Sequence, residues 1–212
     1  INEALGNFGG PWFRTWYLSD GGFFEKTGAY ELIRRRVRYI LIGDSGQDPL
    51  GRFEDLANLI QKARVDFNAD IRFFQDTEEL EADPRVARVL NDFKQKDENR
   101  YKTILTALGG LTDLRPDATG QTRKHASLGF VYYDNRDIPE SLVLYLKATR
   151  TGDEDLDISY YAAENPSFPN ESTANQFFDE PQWESYRRLG EHIATLLFPE
   201  NGNLWFRDLV EK

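Results

Sequence analysis

Residues 17–36 read Tyr17-Leu18-Ser19-Asp20-Gly21-Gly22-Phe23-Phe24-Glu25-Lys26-Thr27-Gly28-Ala29-Tyr30-Glu31-Leu32-Ile33-Arg34-Arg35-Arg36. The aromatic run from Trp12 to Leu18 has the composition of a strand, and it ends on a lone carboxylate followed by two glycines. From Gly28 to Arg36, Ala29, Leu32 and Ile33 share one face, as a helix requires. Val37-Arg38-Tyr39-Ile40-Leu41-Ile42-Gly43 then forms a β-rich apolar run closed by Gly43-Asp44-Ser45-Gly46. Strand, helix, strand in that order predicts an α/β fold, with the unit in a parallel sheet faced by helices.

Outward from this unit the same signals continue. Phe53, Leu56, Ile60, Ala63 and Phe67 fall on one face of an amphipathic helix, and Ile71-Arg72-Phe73-Phe74 reads as a third strand. Residues 75–120 are polar, with one helix expected near Arg85–Phe93 and a loop at residues 113–120. His125–Tyr133 and Ser141–Thr149 are β-prone runs whose connection, residues 134–140, fits a hairpin or adjacent strands. Asp179 followed by Pro181 and Gln182 marks the start of a long helix through Trp183, Tyr186, Leu189, Ile193 and Leu197. No repeat or linker interrupts the chain, so residues 1–212 are expected to form a single α/β unit.

Composition narrows the functions. The 36 acidic and 26 basic residues give a formal net charge of −10, which opposes nucleic acid as a partner. Without cysteine there is neither a disulfide nor a thiolate ligand, and with only two histidines, His125 and His192, a histidine-rich zinc site is not expected. The expectation is therefore no cofactor and no metal. No apolar run reaches the roughly 18 residues that suggest a membrane span, so the chain reads as soluble, in a cytoplasmic or membrane-associated parent. With no methionine, it reads as a segment of a longer protein.

An aspartate at a strand end, beside residues without side chains, leaves space for another group to reach its carboxylate. Pattern alone favours Asp20 satisfying nearby backbone N–H groups, since Asp-Gly is common in turns. The chemical alternative is that Asp20 deprotonates a serine hydroxyl without histidine. A third reading joins Asp20 with Asp44 and Asp48 in a magnesium-dependent phosphoryl-transfer site, against which Asp44 and Asp48 are ordinary turn formers.

Ser19-Asp20-Gly21-Gly22, Phe24-Glu25 and residues 28–36 resemble the segment around the catalytic aspartate of bacterial patatin-like phospholipases. The likeness continues through Phe53-Glu54-Asp55-Leu56-Ala57-Asn58, Lys62-Ala63-Arg64-Val65-Asp66-Phe67 and residues 168–180, in the order found in the C-terminal part of large members. The resemblance implies a three-layer α/β/α sandwich to which this chain contributes the C-terminal strands and helices. Residues 1–75 would close the catalytic core, and residues 76–212 would form a family-specific region.

It also implies a Ser-Asp dyad hydrolase of lipid or other carboxylic esters, active in lipid degradation. Asp20 would be its catalytic general base, with Gly21 and Gly22 as the supporting turn. Two departures stand out. Gly-x-Ser-x-Gly is absent, the nearest sequences being His125-Ala126-Ser127-Leu128-Gly129 and Gly43-Asp44-Ser45-Gly46-Gln47, and Lys26-Thr27 replaces a pair that is often Asn-Leu. The nucleophilic serine and the oxyanion hole are thus expected upstream of Ile1, and the 212 residues alone are expected to be inactive.

The remaining polar clusters have plainer readings. Arg34, Arg35, Arg36 and Arg38 read as a solvated helix end. Asp153, Asp155, Asp157 and Glu164 have EF-hand-like spacing, but Ile158 stands where the turn needs glycine, which favours an acidic helix start. His192 falls off the apolar stripe of its helix, and His125 leads a strand with no visible partner.

Overall fold

The computed structural model describes residues 12, 14, 21–134, 136–172, 174–198 and 209. These residues form an α/β fold with five strands among them, β1 (Tyr39–Asp44), β2 (Ala69–Phe73), β3 (Leu108–Gly109), β4 (Ala126–Tyr133) and β5 (Ser141–Lys147). Among the described residues there are seven α-helices, α1 (Ala29–Arg34), α2 (Glu54–Phe67), α3 (Thr77–Ala82), α4 (Pro84–Lys96), α5 (Glu98–Ala107), α6 (Leu156–Glu164) and α7 (Glu180–Leu197). The strand expected over Trp12–Leu18 falls almost wholly outside the described residues, and Asp20 lies outside them too.

The sheet runs β1-β5-β4-β2 and is mixed, with the adjacent antiparallel strands expected over 125–149 at its centre. β1 pairs with β5 in parallel, while β5 with β4 and β4 with β2 are antiparallel. The reason is the short connection from Tyr133 to Ser141, which reverses direction and puts two adjacent strands side by side. The short β3 lies along the same edge of β4 as β2, pairing Leu108 with Ala126.

Both central strands are largely apolar and almost wholly buried because both faces of the sheet are covered. Ala126, Leu128, Phe130 and Tyr132 of β4, with Leu142 and Leu144 of β5, join the cluster formed by α3 to α7. Val131, Tyr133, Val143 and Tyr145 point the other way, against Ala29 and Ile33 of α1 and Leu56, Leu59 and Ala63 of α2. Adjacent Phe73 and Phe74 divide between these clusters, as alternation along a strand requires.

Two glycines are set by close approach. Phe73 is paired with Gly129 across β2 and β4, and a Cβ on Gly129 would stand 2.9 Å from the Phe73 ring. A Cβ on Gly110 would fall 2.1 Å from the backbone nitrogen of Asp76, so only glycine fits where that chain crosses the end of β2. Phe53, expected inside a helix, instead stands at the N-cap of α2 in a left-handed conformation (φ 56°) with its ring buried against Tyr145. The polar region 75–120 is more structured than its composition indicated. Asp76, Asp83 and Asp97 cap α3, α4 and α5 in succession, each accepting a backbone N–H from the first turn.

Candidate functional site

Gly21 and Gly22 begin a 3-10 turn, Gly21–Phe23, in which the carbonyl of Gly21 accepts the N–H groups of Phe24 and Glu25. A Cβ on Gly21 would meet no described atom within 4 Å. The loop that follows is anchored from within. The buried Glu25 carboxylate accepts the Thr27 N–H at 2.6 Å and the Tyr30 N–H at 3.3 Å, placing a negative charge at the start of α1. Gly28 makes the entry to α1 in a left-handed conformation (φ 71°) that disfavours a side chain.

The same loop is also tied to α2. Asn58 Nδ2 donates to the Phe24 carbonyl at 3.0 Å, Lys62 Nζ sits 4.2 Å over the Phe24 ring, and Lys26 pairs with Asp55 at 3.1 Å. Tyr30 donates its hydroxyl to Asp66 and packs on Phe67. Lys26, to which sequence reading gave no role, is thus one of the ties to α2.

Beside these ties, at the carboxyl ends of parallel strands β1 and β5, lies a cavity of about 210 Å³ lined by Lys26, Asp44, Asp48, Phe53, Asp55 and Lys147, among others. Ligand sites of open α/β sheets occupy this end of the strands. Asp44 and Lys147 form a buried ion pair at 3.0 Å, with side chains only 9% and 4% exposed. The Tyr145 hydroxyl and the Gly46 N–H also donate to Asp44, and Lys147 reaches the Gly46 carbonyl. Burial, with the Asp44 carboxylate next, drives the Tyr145 pKa far above its ordinary value, so this phenol remains a donor. Asp48 accepts the Arg52 and Phe53 N–H groups, one on each oxygen, and shapes the turn before α2. Asp48 therefore matches the turn-former reading, whereas Asp44 is the acceptor of a buried network, a role its sequence context did not reveal.

The exposed clusters find partners in the protein. Arg34 and Arg35 pair with Glu31, while Arg36 pairs with Asp134 and Glu140 and lies over the Tyr133 ring. Asp155 stands at the N-cap of α6, and both Asp155 and Asp157 pair with Arg188.

The histidines depart most from expectation. His125 is fully buried, with Nδ1 3.0 Å from Thr149 Oγ1 and Nε2 3.1 Å from Thr151 Oγ1. Its ring meets that of His192 edge-on, with centroids 5.8 Å apart, and His192 Nε2 lies 3.1 Å from Asp153 Oδ1. Burial, then the neighbouring His192, pushes the His125 pKa down to about 4. Burial acts to raise the Asp153 pKa, but hydrogen bonds from Thr151 and His192 outweigh it and hold the carboxyl below its ordinary value. His125 thus has partners, and His192 faces a buried neighbour as well as solvent. The off-stripe phase of His192 was the available signal: it marked a side chain aimed at something other than the core of α7.

Comparisons with family models, with curated proteins and with solved structures return no match to this chain.

Proposed function

We propose that these residues are part of a serine acyl hydrolase of patatin type, acting on lipid or other carboxylic esters through a Ser-Asp dyad in a three-layer α/β/α sandwich. Asp20 is the general base, taking the serine proton during attack on the ester carbonyl and managing proton transfer again when water releases the acyl group. The reading requires a nucleophilic serine and oxyanion-hole N–H groups from polypeptide outside these 212 residues, because Gly-x-Ser-x-Gly does not occur within them.

One observation carries this reading: separate segments that resemble the family converge in space on the loop that follows Gly21 and Gly22. Glu25 and Gly28 shape the loop after the glycines, and Asp55, Asn58 and Lys62 of α2 hold it. Tyr30 extends the same contact to Asp66 and Phe67. A general base must be held within hydrogen-bonding reach of the proton it takes, and a clamped loop supports that requirement. The magnesium reading is weakened by chemistry, since Asp44 already receives an ammonium and a phenol while both Asp48 oxygens accept backbone N–H groups.

The test is hydrolysis of a chromogenic carboxylic ester by the intact protein. Asp20→Asn is expected to lower kcat by about 10²–10⁴-fold, the usual contribution of a general base. Full activity in that variant refutes the role of Asp20. Absence of esterase activity from the intact protein favours a non-catalytic scaffold in which Asp-Gly-Gly is only a turn.

A further inference from the structure

We propose that His125, Asp153 and His192 form a binding site for one divalent transition-metal ion of the zinc class, joining the start of β4, the loop before α6 and the solvent side of α7. The chain has two histidines, and folding brings both of them against one carboxylate. One ligand atom from each of the three residues lies within 4.8 Å of the others. Two imidazoles and a carboxylate form a donor set suited to zinc and neighbouring first-row ions, and three protein ligands leave a fourth position for water or another group.

Ligand distances of about 2.0–2.2 Å in a tetrahedral site put neighbouring donors roughly 3.3 Å apart. His192 Nε2 and Asp153 Oδ1 already stand at 3.1 Å. Closing the remaining separation, at most 4.8 Å, needs movement of about 1.5 Å, and the half-exposed Asp153 lies on a loop that turns at Gly152 (φ 90°).

The surroundings of His125 serve both the empty and the loaded site. In the empty site its Nε2–H donates to Thr151, whose hydroxyl donates to Asp153 together with His192. With that tautomer, the Thr149 hydroxyl donates a hydrogen bond to Nδ1. In the loaded site the tautomer reverses, and Nδ1–H donates to Thr149 Oγ1. The Thr149 hydroxyl turns to the Lys124 carbonyl, already 3.2 Å away, and Nε2 is bare towards the ion. A hydrogen bond to the far nitrogen is the usual means of fixing the tautomer of a ligating histidine.

The experiment uses the full chain without a polyhistidine tag, equilibrated with Zn²⁺ and then dialysed, with Co²⁺ as a spectroscopic probe. One zinc per chain is expected, together with the intense visible bands of tetrahedral Co²⁺. His192→Ala and Asp153→Asn should each weaken Zn²⁺ binding by at least about 100-fold, since even the loss of a supporting second-sphere group costs 10–100-fold. Both side chains reach solvent, so the metal-free variants should keep the circular dichroism of the parent, and Zn²⁺ should raise the Tm of the parent only. Lack of stoichiometric zinc in the parent overturns the proposal. So does equal retention by parent and variants, which would place any bound zinc elsewhere and leave the cluster as a hydrogen-bonded network.

Discussion

Replacing Lys147 with methionine tests the buried ion pair at the sheet's carboxyl edge. Methionine retains most of the apolar stem, so the substitution removes mainly the ammonium, its 3.0 Å contact with Asp44 and its 3.0 Å bond to the Gly46 carbonyl. Removing one member of a buried pair typically costs about 3–5 kcal/mol, because the other charge remains desolvated. The lower end applies here, since Asp44 keeps the Tyr145 hydroxyl and the Gly46 N–H. A loss of about 3 kcal/mol, at a urea slope of about 2 kcal/mol/M, moves the unfolding midpoint down by about 1.5 M.

The matching Asp44→Asn variant leaves Lys147 buried with one carbonyl partner and is expected to lose a similar amount. The double variant removes both charges and should recover about 2 kcal/mol relative to the sum of the singles. Urea unfolding at pH 7, followed by circular dichroism and tryptophan fluorescence with coincident transitions, measures all four proteins. A Lys147→Met midpoint within about 0.3 M of the parent, or strictly additive singles, refutes the claim that this pair is buried and coupled.

Two further expectations concern local anchors. Glu25→Ala deprives the Thr27 and Tyr30 N–H groups of their acceptor and should cost about 1–2 kcal/mol in urea unfolding. Under the proposed function, it should lower the kcat of ester hydrolysis by the intact protein about tenfold or more, with KM little changed, whereas unchanged kcat would detach this loop from catalysis. At Asp83, burial raises the pKa, but hydrogen bonds from Arg85 and the cap N–H groups outweigh it, and the folded pKa lies below its ordinary value. Its contribution to stability is therefore present above the unfolded pKa of about 3.9 and is lost as pH falls through the folded value. Asp83→Asn should be about 1 kcal/mol less stable at pH 7, with the gap closing by about pH 2; a gap that persists in acid refutes the charge-based account.

The central strands were legible because burial on both faces leaves continuous apolar runs. His125–Tyr133 and Ser141–Thr149 predicted β4 and β5 to within two residues at each end. α7 was legible from its start, where Asp179 accepts the Gln182 N–H as its spacing implied. α3 and α5 were missed because each buries few apolar side chains, Leu80 in one and Ile104 and Ala107 in the other. Their available signal was chemical, in the aspartates at positions 76 and 97 that stand at helix N-caps. The antiparallel pair at the centre was legible too, because the connection of residues 134–140 is too short for a crossover, whereas the parallel pairing of β1 with β5 joins strands about a hundred residues apart and left no local signal.

The two polar clusters explain why their residues were read too plainly. A sequence window shows Asp44 beside Gly46, which resembles any turn; it does not show Lys147, brought alongside by the parallel register of β1 and β5. Likewise His125, Asp153 and His192 come from a strand, a loop and a distant helix, so no local spacing links them. The clusters nevertheless differ in what they ask of their surroundings. Lys147 and Asp44 neutralise one another, and each has a further hydrogen-bond partner, so their arrangement is complete without a ligand. His125 is fully buried, and it faces a second histidine and a carboxylate. Thr149 can support either of its tautomers, which makes the imidazole cluster the better place for an ion.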